Sequence, residues 1–176
     1  MRRVILITGG ARCGKSRYAE ARVAAYPSPW AFLATAEAGD EEMAERIRLH
    51  QTRRSQEWHT AEAPLALVDA LQETAGISGA QLVDCLTLWL SNLMLAGRDV
   101  GAEIDRLCNH LADTTTPVVL VTNEVGMGIV PANVLARRFR DEAGRMNQAI
   151  AAVAQEVVLM VSGYPTTVKP APHSAP

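Results

Sequence analysis

The stretch Gly9-Gly10-Ala11-Arg12-Cys13-Gly14-Lys15-Ser16 follows the apolar run Val4 to Thr8 and precedes a helix-prone segment. Strand, glycine-rich turn and helix in that order, with Lys-Ser closing the turn, form the pattern of a phosphate-binding P-loop. The pattern restricts the fold severely, since such a loop works only where a strand end meets a helix N-terminus. Glycines at 9, 10 and 14 let backbone N–H groups close on phosphate oxygens where a side chain would obstruct them. The helix start adds unpaired N–H groups and partial positive charge aimed at the same oxygens. Lys15 is expected to reach the β and γ phosphates of a nucleotide, and the Ser16 hydroxyl to ligate Mg²⁺. Ala11, Arg12 and Cys13 complete the cradle, with Arg12 facing phosphate or solvent.

Around this loop the chain alternates strand and helix patterns. Runs rich in valine, isoleucine or leucine recur at Val4 to Thr8, Trp30 to Thr35, Gln81 to Asp84, Val118 to Thr122 and Val157 to Val161. Helical patterns between them argue for a mostly parallel sheet covered by helices on both faces. The expected class is therefore α/β, one P-loop NTPase domain of RecA-like type over residues 1–163. Its length suits a single domain, which buries roughly two-thirds of the unfolded surface at this size. A proline-rich tail, 164–176, is expected to be an extended, partly disordered arm.

Helices are expected at about Ser16 to Ala25, 40 to 54, Pro64 to Thr74, 86 to 96 and Ala102 to Ala112, with a long one after Pro131. The 86 to 96 segment is apolar nearly all round, which points to burial in the domain or at a subunit contact.

Composition excludes several classes. Net charge is −2 and the isoelectric point is near 6.1, so no basic field draws in nucleic acid or an anionic membrane. Fifteen of the seventeen basic residues are arginine, which suits phosphate recognition but equally follows a coding bias. Cys13, Cys85 and Cys108 lack CxxC spacing, which argues against structural zinc and a disulfide framework. No run approaches the ~20 apolar residues of a membrane span, and the N-terminal run is too short for a signal peptide. A cytoplasmic location is expected.

In open parallel sheets ligands collect at the carboxyl ends of the strands, which directs attention to the residues after 8, 35, 84 and 122. Asp84 ends a buried strand, where a P-loop protein keeps the acid that holds Mg²⁺ through water. The alternative is a polar strand end that caps the next helix. Asn123 and Glu124 open a loop with two glycines, where they bind substrate, base or metal, or else stabilise the turns. On the expected 40 to 54 helix, Met43, Ile47 and His50 share one stripe, so His50 faces inward. A neutral imidazole there can attack phosphorus without a separate base, or can simply pack. His59, His110 and His173 are poor candidates: His59 reads as an edge-strand or loop residue, His110 as part of an exposed helix face.

Several stretches together resemble the family of bifunctional adenosylcobinamide kinase and adenosylcobinamide-phosphate guanylyltransferase. These are Thr8 to Ser16, Asp40 to Ile47 leading to His50, Trp58 to Glu62, Asp84-Cys85-Leu86-Thr87, Thr122 to Pro131, and Ala136 to Asp141 with Gly144-Arg145 and Asn147-Gln148. The resemblance covers about 4 to 163; Cys13 stands where serine is common, and little matches beyond Gly163. It implies two reactions: phosphorylation of adenosylcobinamide by ATP or GTP, then transfer of GMP from GTP to the adenosylcobinamide phosphate through a guanylyl-histidine. The helix pattern places that histidine at His50. The resemblance also implies a homotrimer with substrate bound between subunits. A single-step small-molecule kinase and a nucleotide-sensing module are the alternative readings.

Overall fold

The computed structural model describes residues 4–36 and 56–170. Seven strands form one sheet: β1 (Val4–Gly9), β2 (Trp30–Ala34), β3 (Trp58–Glu62), β4 (Ala80–Asp84), β5 (Val118–Val121), β6 (Glu156–Val161) and β7 (Tyr164–Lys169). Their spatial order is β3-β2-β4-β5-β1-β6-β7, with every neighbouring pair parallel except β6 and β7. The helices are α1 (Lys15–Val23), α2 (Leu67–Ala75), α3 (Leu86–Leu95), α4 (Val100–Asp113) and α5 (Val134–Val153).

The two faces are covered unequally. Ile5, Ile7, Val119, Val121, Leu82, Val158 and Met160 pack on one face with Ala19 and Val23 of α1. Val4, Leu6, Leu33, Val83, Val118 and Leu120 pack on the other with side chains from α2, α3, α4 and α5. Alternate residues of β1 and β5 thus belong to opposite cores, which is why Val118 to Val121 is an unbroken apolar run. Strand β1 lies between β5 and β6, and the chain leaves its carboxyl end into the glycine loop.

The α/β class, the five apolar strands and the mostly parallel sheet agree with the sequence reading. Helix α2 starts at Leu67 with Ala66 as its cap, so Pro64 precedes the helix and does not open it. Helix α3 buries Leu86, Thr87, Trp89, Leu90 and Leu93 within the domain. His110 on α4 is half-buried and not exposed as expected; burial, then the charge of Arg106, lower its pKa. The 40 to 54 helix and His50 lie outside the described residues.

The expectation of an extended arm from 164 onward is corrected for residues 164–169. Ser162 (φ 51°) and Gly163 (φ 89°) turn the chain back between Val161 and Tyr164, the two-residue hairpin geometry in which both central residues have positive φ. Strand β7 then pairs antiparallel with β6. Pro165 is tolerated because β7 lies at the sheet edge, where one row of N–H groups is not needed for pairing. Of the tail's prolines, Pro165 sits in this edge strand and Pro170 follows it.

Candidate functional site

The loop from Gly9 to Ser16 has the backbone conformation of an anion cradle. Gly9 has φ 148°, and a Cβ there would lie 2.6 Å from the Met160 carbonyl oxygen and 2.8 Å from Cys13 Sγ. Only glycine lets the loop leave β1 so close to β6. Gly14 caps α1 with φ 98° and offers no side chain to the helix start, and the first turn carries no acidic residue. The first N–H groups of α1 therefore have no competing anion of their own, the condition under which a helix start accepts phosphate. The hairpin supports the loop from the β6 side, where Gly163 N–H donates to the Cys13 carbonyl at 2.9 Å. Arg12 (φ 55°) is exposed at the loop tip, and Gly10 and Ala11 are exposed beside it.

Lys15 is 7% exposed. Its ammonium donates to the carbonyls of Gly9 (2.9 Å) and Gly10 (2.6 Å) and to Cys13 Sγ at 3.7 Å. The charge thus stands over the floor of the cradle, held by the loop's own backbone. Ser16, one residue further along α1, donates its hydroxyl to Asp84 Oδ2 at 3.2 Å. Asp84 is the last residue of β4 and half-buried, so the strand order brings it across β5 to the loop from 68 residues away.

The β5 exit closes the other side. Glu124 N–H donates to the Gly9 carbonyl at 3.1 Å, and its Oε1 accepts the Gly126 N–H at 2.9 Å. Asn123 is anchored by its backbone: its N–H donates to Thr87 Oγ1 at 2.7 Å, and its carbonyl accepts from Asn147 Nδ2 at 3.3 Å. The Thr122 hydroxyl donates to Asn147 Oδ1 at 2.8 Å. Asn123 Nδ2 reaches Cys85 Sγ at 3.8 Å. Burial, then the charge of Asp84, raise the Cys85 thiol pKa, so it stays a neutral packing group and not a thiolate nucleophile.

Lys15, Ser16, Asp84, Asn123 and Glu124 therefore meet at one carboxyl edge of the sheet, with Gly9 to Gly14 as its floor. Behind them lie the buried hydroxyls of Thr35, Thr87 and Thr122 and the half-buried amides of Asn92 and Asn147. Thr35 and Thr122 carried a signal as strand ends in the searched positions, and Thr87, Thr122 and Asn147 stand in the stretches that resemble the family; Asn92 carried none. Among the described residues no three His, Cys, Asp or Glu side chains converge as a protein metal cage. The hydroxyl and carboxylate of Ser16 and Asp84 are hard oxygen donors at one point, which fits Mg²⁺ shared with nucleotide phosphates.

The family profile described as cobinamide kinase / cobinamide phosphate guanyltransferase matches residues 5–168. The bifunctional adenosylcobalamin biosynthesis protein CobP of Pseudomonas aeruginosa is 44% identical over 169 residues, covering 95% of this chain and 98% of that protein. The protein named CobU in Salmonella typhimurium is 42% identical, covering 94% and 99% respectively. Among solved structures, a KaiC-like protein, PH0186 of Pyrococcus horikoshii, matches with TM-score 0.49 at 12% identity over 89% of this chain and 70% of its own. Assignment rests on the near-full-length sequence matches, which span the cradle, the Asp84 strand end and the Asn123-Glu124 loop together. The chain belongs to the cobinamide kinase / cobinamide phosphate guanyltransferase family.

Proposed function

We propose that this chain carries out both reactions of its family on adenosylcobinamide. In the first, the γ-phosphoryl group of ATP or GTP passes to the aminopropanol hydroxyl of adenosylcobinamide. In the second, an imidazole nitrogen of His50 forms a bond to the α-phosphorus of GTP while the α–β phosphoanhydride bond breaks and pyrophosphate leaves. A phosphate oxygen of the first product then takes the GMP, breaking the P–N bond and freeing His50. The observation that carries this reading is the cradle with Lys15 and the Ser16–Asp84 pair at its mouth, in a chain matched nearly end to end by bifunctional relatives.

The chain's own groups supply positioning and electrostatics. Loop N–H groups and the start of α1 hold the β and γ phosphates, and Lys15 exchanges its carbonyl partners for phosphate oxygens where charge accumulates. Ser16 and Asp84 would hold Mg²⁺, which when bound neutralises charge on the triphosphate. Asn123 and Glu124, anchored beside Gly9, face the same edge and contribute to nucleotide binding. The Glu124 carboxylate also holds the Gly126 turn, so its two sequence readings are compatible.

The second reaction is tested by the intact mass of the protein after incubation with GTP and Mg²⁺. A gain of one GMP in the wild type, absent from His50→Ala, supports the covalent step. No gain in the wild type reduces the chain to a single-step kinase, and GTP binding with no phosphorylated cobinamide reduces it to a nucleotide-binding module.

The functional unit is proposed to be a homotrimer, as the resemblance implies. An apolar groove of about 320 Å³ lined by Met94, Leu95, Leu135, Ala136 and Phe139, with Ser91 and Asn133, supports a contact between copies. No helix among the described residues is long and apolar enough to cross a membrane, and the nucleotide substrates favour a cytoplasmic location.

A further inference from the structure

The regular ladder between β2 and β4 ends at the pair Ala34–Asp84, but the contact between the two chains does not. Thr35, fully buried, follows Ala34 and bonds to the peptide groups on both sides of Cys85. Its hydroxyl donates to the Cys85 carbonyl at 2.7 Å and accepts the Cys85 N–H at 2.7 Å. Its own N–H donates to the Asp84 carbonyl at 3.3 Å. One hydroxyl hydrogen and one lone pair are thereby committed to a single residue, a two-point grip on the backbone just after Asp84. Asn92 of α3 holds the grip from behind, with Nδ2 donating to the carbonyls of Thr35 (2.8 Å) and Pro64 (3.1 Å).

From this arrangement we propose that Thr35 is a positioning residue for the Asp84 carboxylate, fixing the strand end so that Oδ2 meets Ser16 at the cradle. The proposal rests on the reading of Ser16 and Asp84 as the Mg²⁺ pair. The strand exit at Cys85 has lost its ladder partner, and its backbone groups sit in a buried environment where an unpaired N–H or carbonyl is costly. Thr35 satisfies the N–H and adds a bond to the carbonyl, which also accepts the N–H groups of Leu88 and Trp89 at 3.2 Å. Without the hydroxyl, the Cys85 N–H must turn to find another partner, and Asp84, across the same peptide bond, turns with it. Outer groups of this kind orient the atoms that bind a metal, and their loss typically weakens metal affinity by about 10–100-fold.

The test uses the full chain with a non-hydrolysable GTP analogue, titrated with Mn²⁺ and read by the electron paramagnetic resonance of free ion. Analogue affinity in excess chelator and melting temperature are measured in parallel. Thr35→Val keeps the shape and removes the hydroxyl; it is expected to weaken Mn²⁺ about 10–100-fold, while metal-free analogue affinity stays within about twofold. Thr35→Ser keeps a hydroxyl and is expected to bind Mn²⁺ within about threefold of wild type, well short of that loss. Unchanged Mn²⁺ affinity in Thr35→Val, or an equal loss of metal-free binding, overturns the proposal. If Thr35→Val does not fold, Asn92→Ala takes its place, and Mn²⁺ binding in that variant indistinguishable from wild type overturns it equally. Asp84→Asn separates the two layers: no loss of Mn²⁺ there sinks the metal reading itself, whereas loss there without loss in Thr35→Val sinks only the positioning role.

Discussion

The Lys15 ammonium is held by the Gly9 and Gly10 carbonyls. On the proposed reading a phosphate replaces these neutral acceptors with charged ones, so the residue that ties the loop together also binds the nucleotide. Lys15→Ala removes both roles. Cobinamide phosphorylation, followed as corrinoid product by chromatography, is expected to fall about 10²–10³-fold, the usual effect of losing one preorganised donor at a transition state. A loss under about threefold would show that Lys15 does not touch the transferred group. Lys15, Ser16 and the glycines were legible because their spacing encodes a local mechanism. Asp84 was legible through a rule about strand ends. The bonds of Thr35 to Cys85 and of Asn92 to Thr35 were not, since they depend on which strand exit or loop comes to lie beside each residue, and nothing in a lone threonine or asparagine announces that.

At the level of elements, α1 is tied to the sheet by more than the apolar contacts of Ala19 and Val23. Arg22 donates through both terminal nitrogens to the carboxylate of Glu156 at 2.7 Å, where β6 begins. The side chains are 21% and 10% exposed, and the hydrogen bonds to Glu156 push the Arg22 pKa further up. Glu156→Ala leaves a largely buried guanidinium without its carboxylate, which costs about 3–5 kcal/mol for a fully buried pair and less here because Arg22 reaches solvent. The urea midpoint is expected to fall clearly, with Arg22→Met/Glu156→Leu recovering part of the loss. Equal midpoints for wild type and Glu156→Ala would mean the pair contributes nothing. Strand β7 shows where periodicity misleads. Pro165 and the threonines around it lack an apolar face because β7 lies beyond the helices, and its residues through Val168 are exposed. Ending the chain after Gly163 should therefore lower the melting temperature and promote aggregation, because it bares the edge of β6. A truncated protein as stable and soluble as the full chain would restore the arm reading.

For the whole molecule, the distribution of exposed apolar residues bears on assembly. Leu95 is 76% exposed and Ile129 98%, with Met127, Val130, Val134 and Leu135 exposed as well, all in α3, the loop after β5 or the start of α5. The sequence pattern of 86 to 96 left burial in the domain and burial at a subunit contact equally open. The structure divides that segment: five of its residues pack into the domain core, while Leu95 and half-buried Met94 line the groove beside Leu135 and Phe139. Clustering of this kind marks a contact surface more often than chance exposure does. If copies associate here, a charge placed in the groove must be desolvated on assembly or must prevent it. The pair Leu95→Glu with Leu135→Glu is therefore expected to shift the sedimentation mass from trimer to monomer at micromolar protein. Nucleotide binding in the cradle should persist, since neither residue contacts Lys15, Ser16 or Asp84. Loss of the second product with retention of the first in that monomer would place part of the guanylyl-transfer site on a neighbouring copy. A wild-type chain that sediments as a monomer would leave the groove open to another occupant and remove the subunit contact from the mechanism.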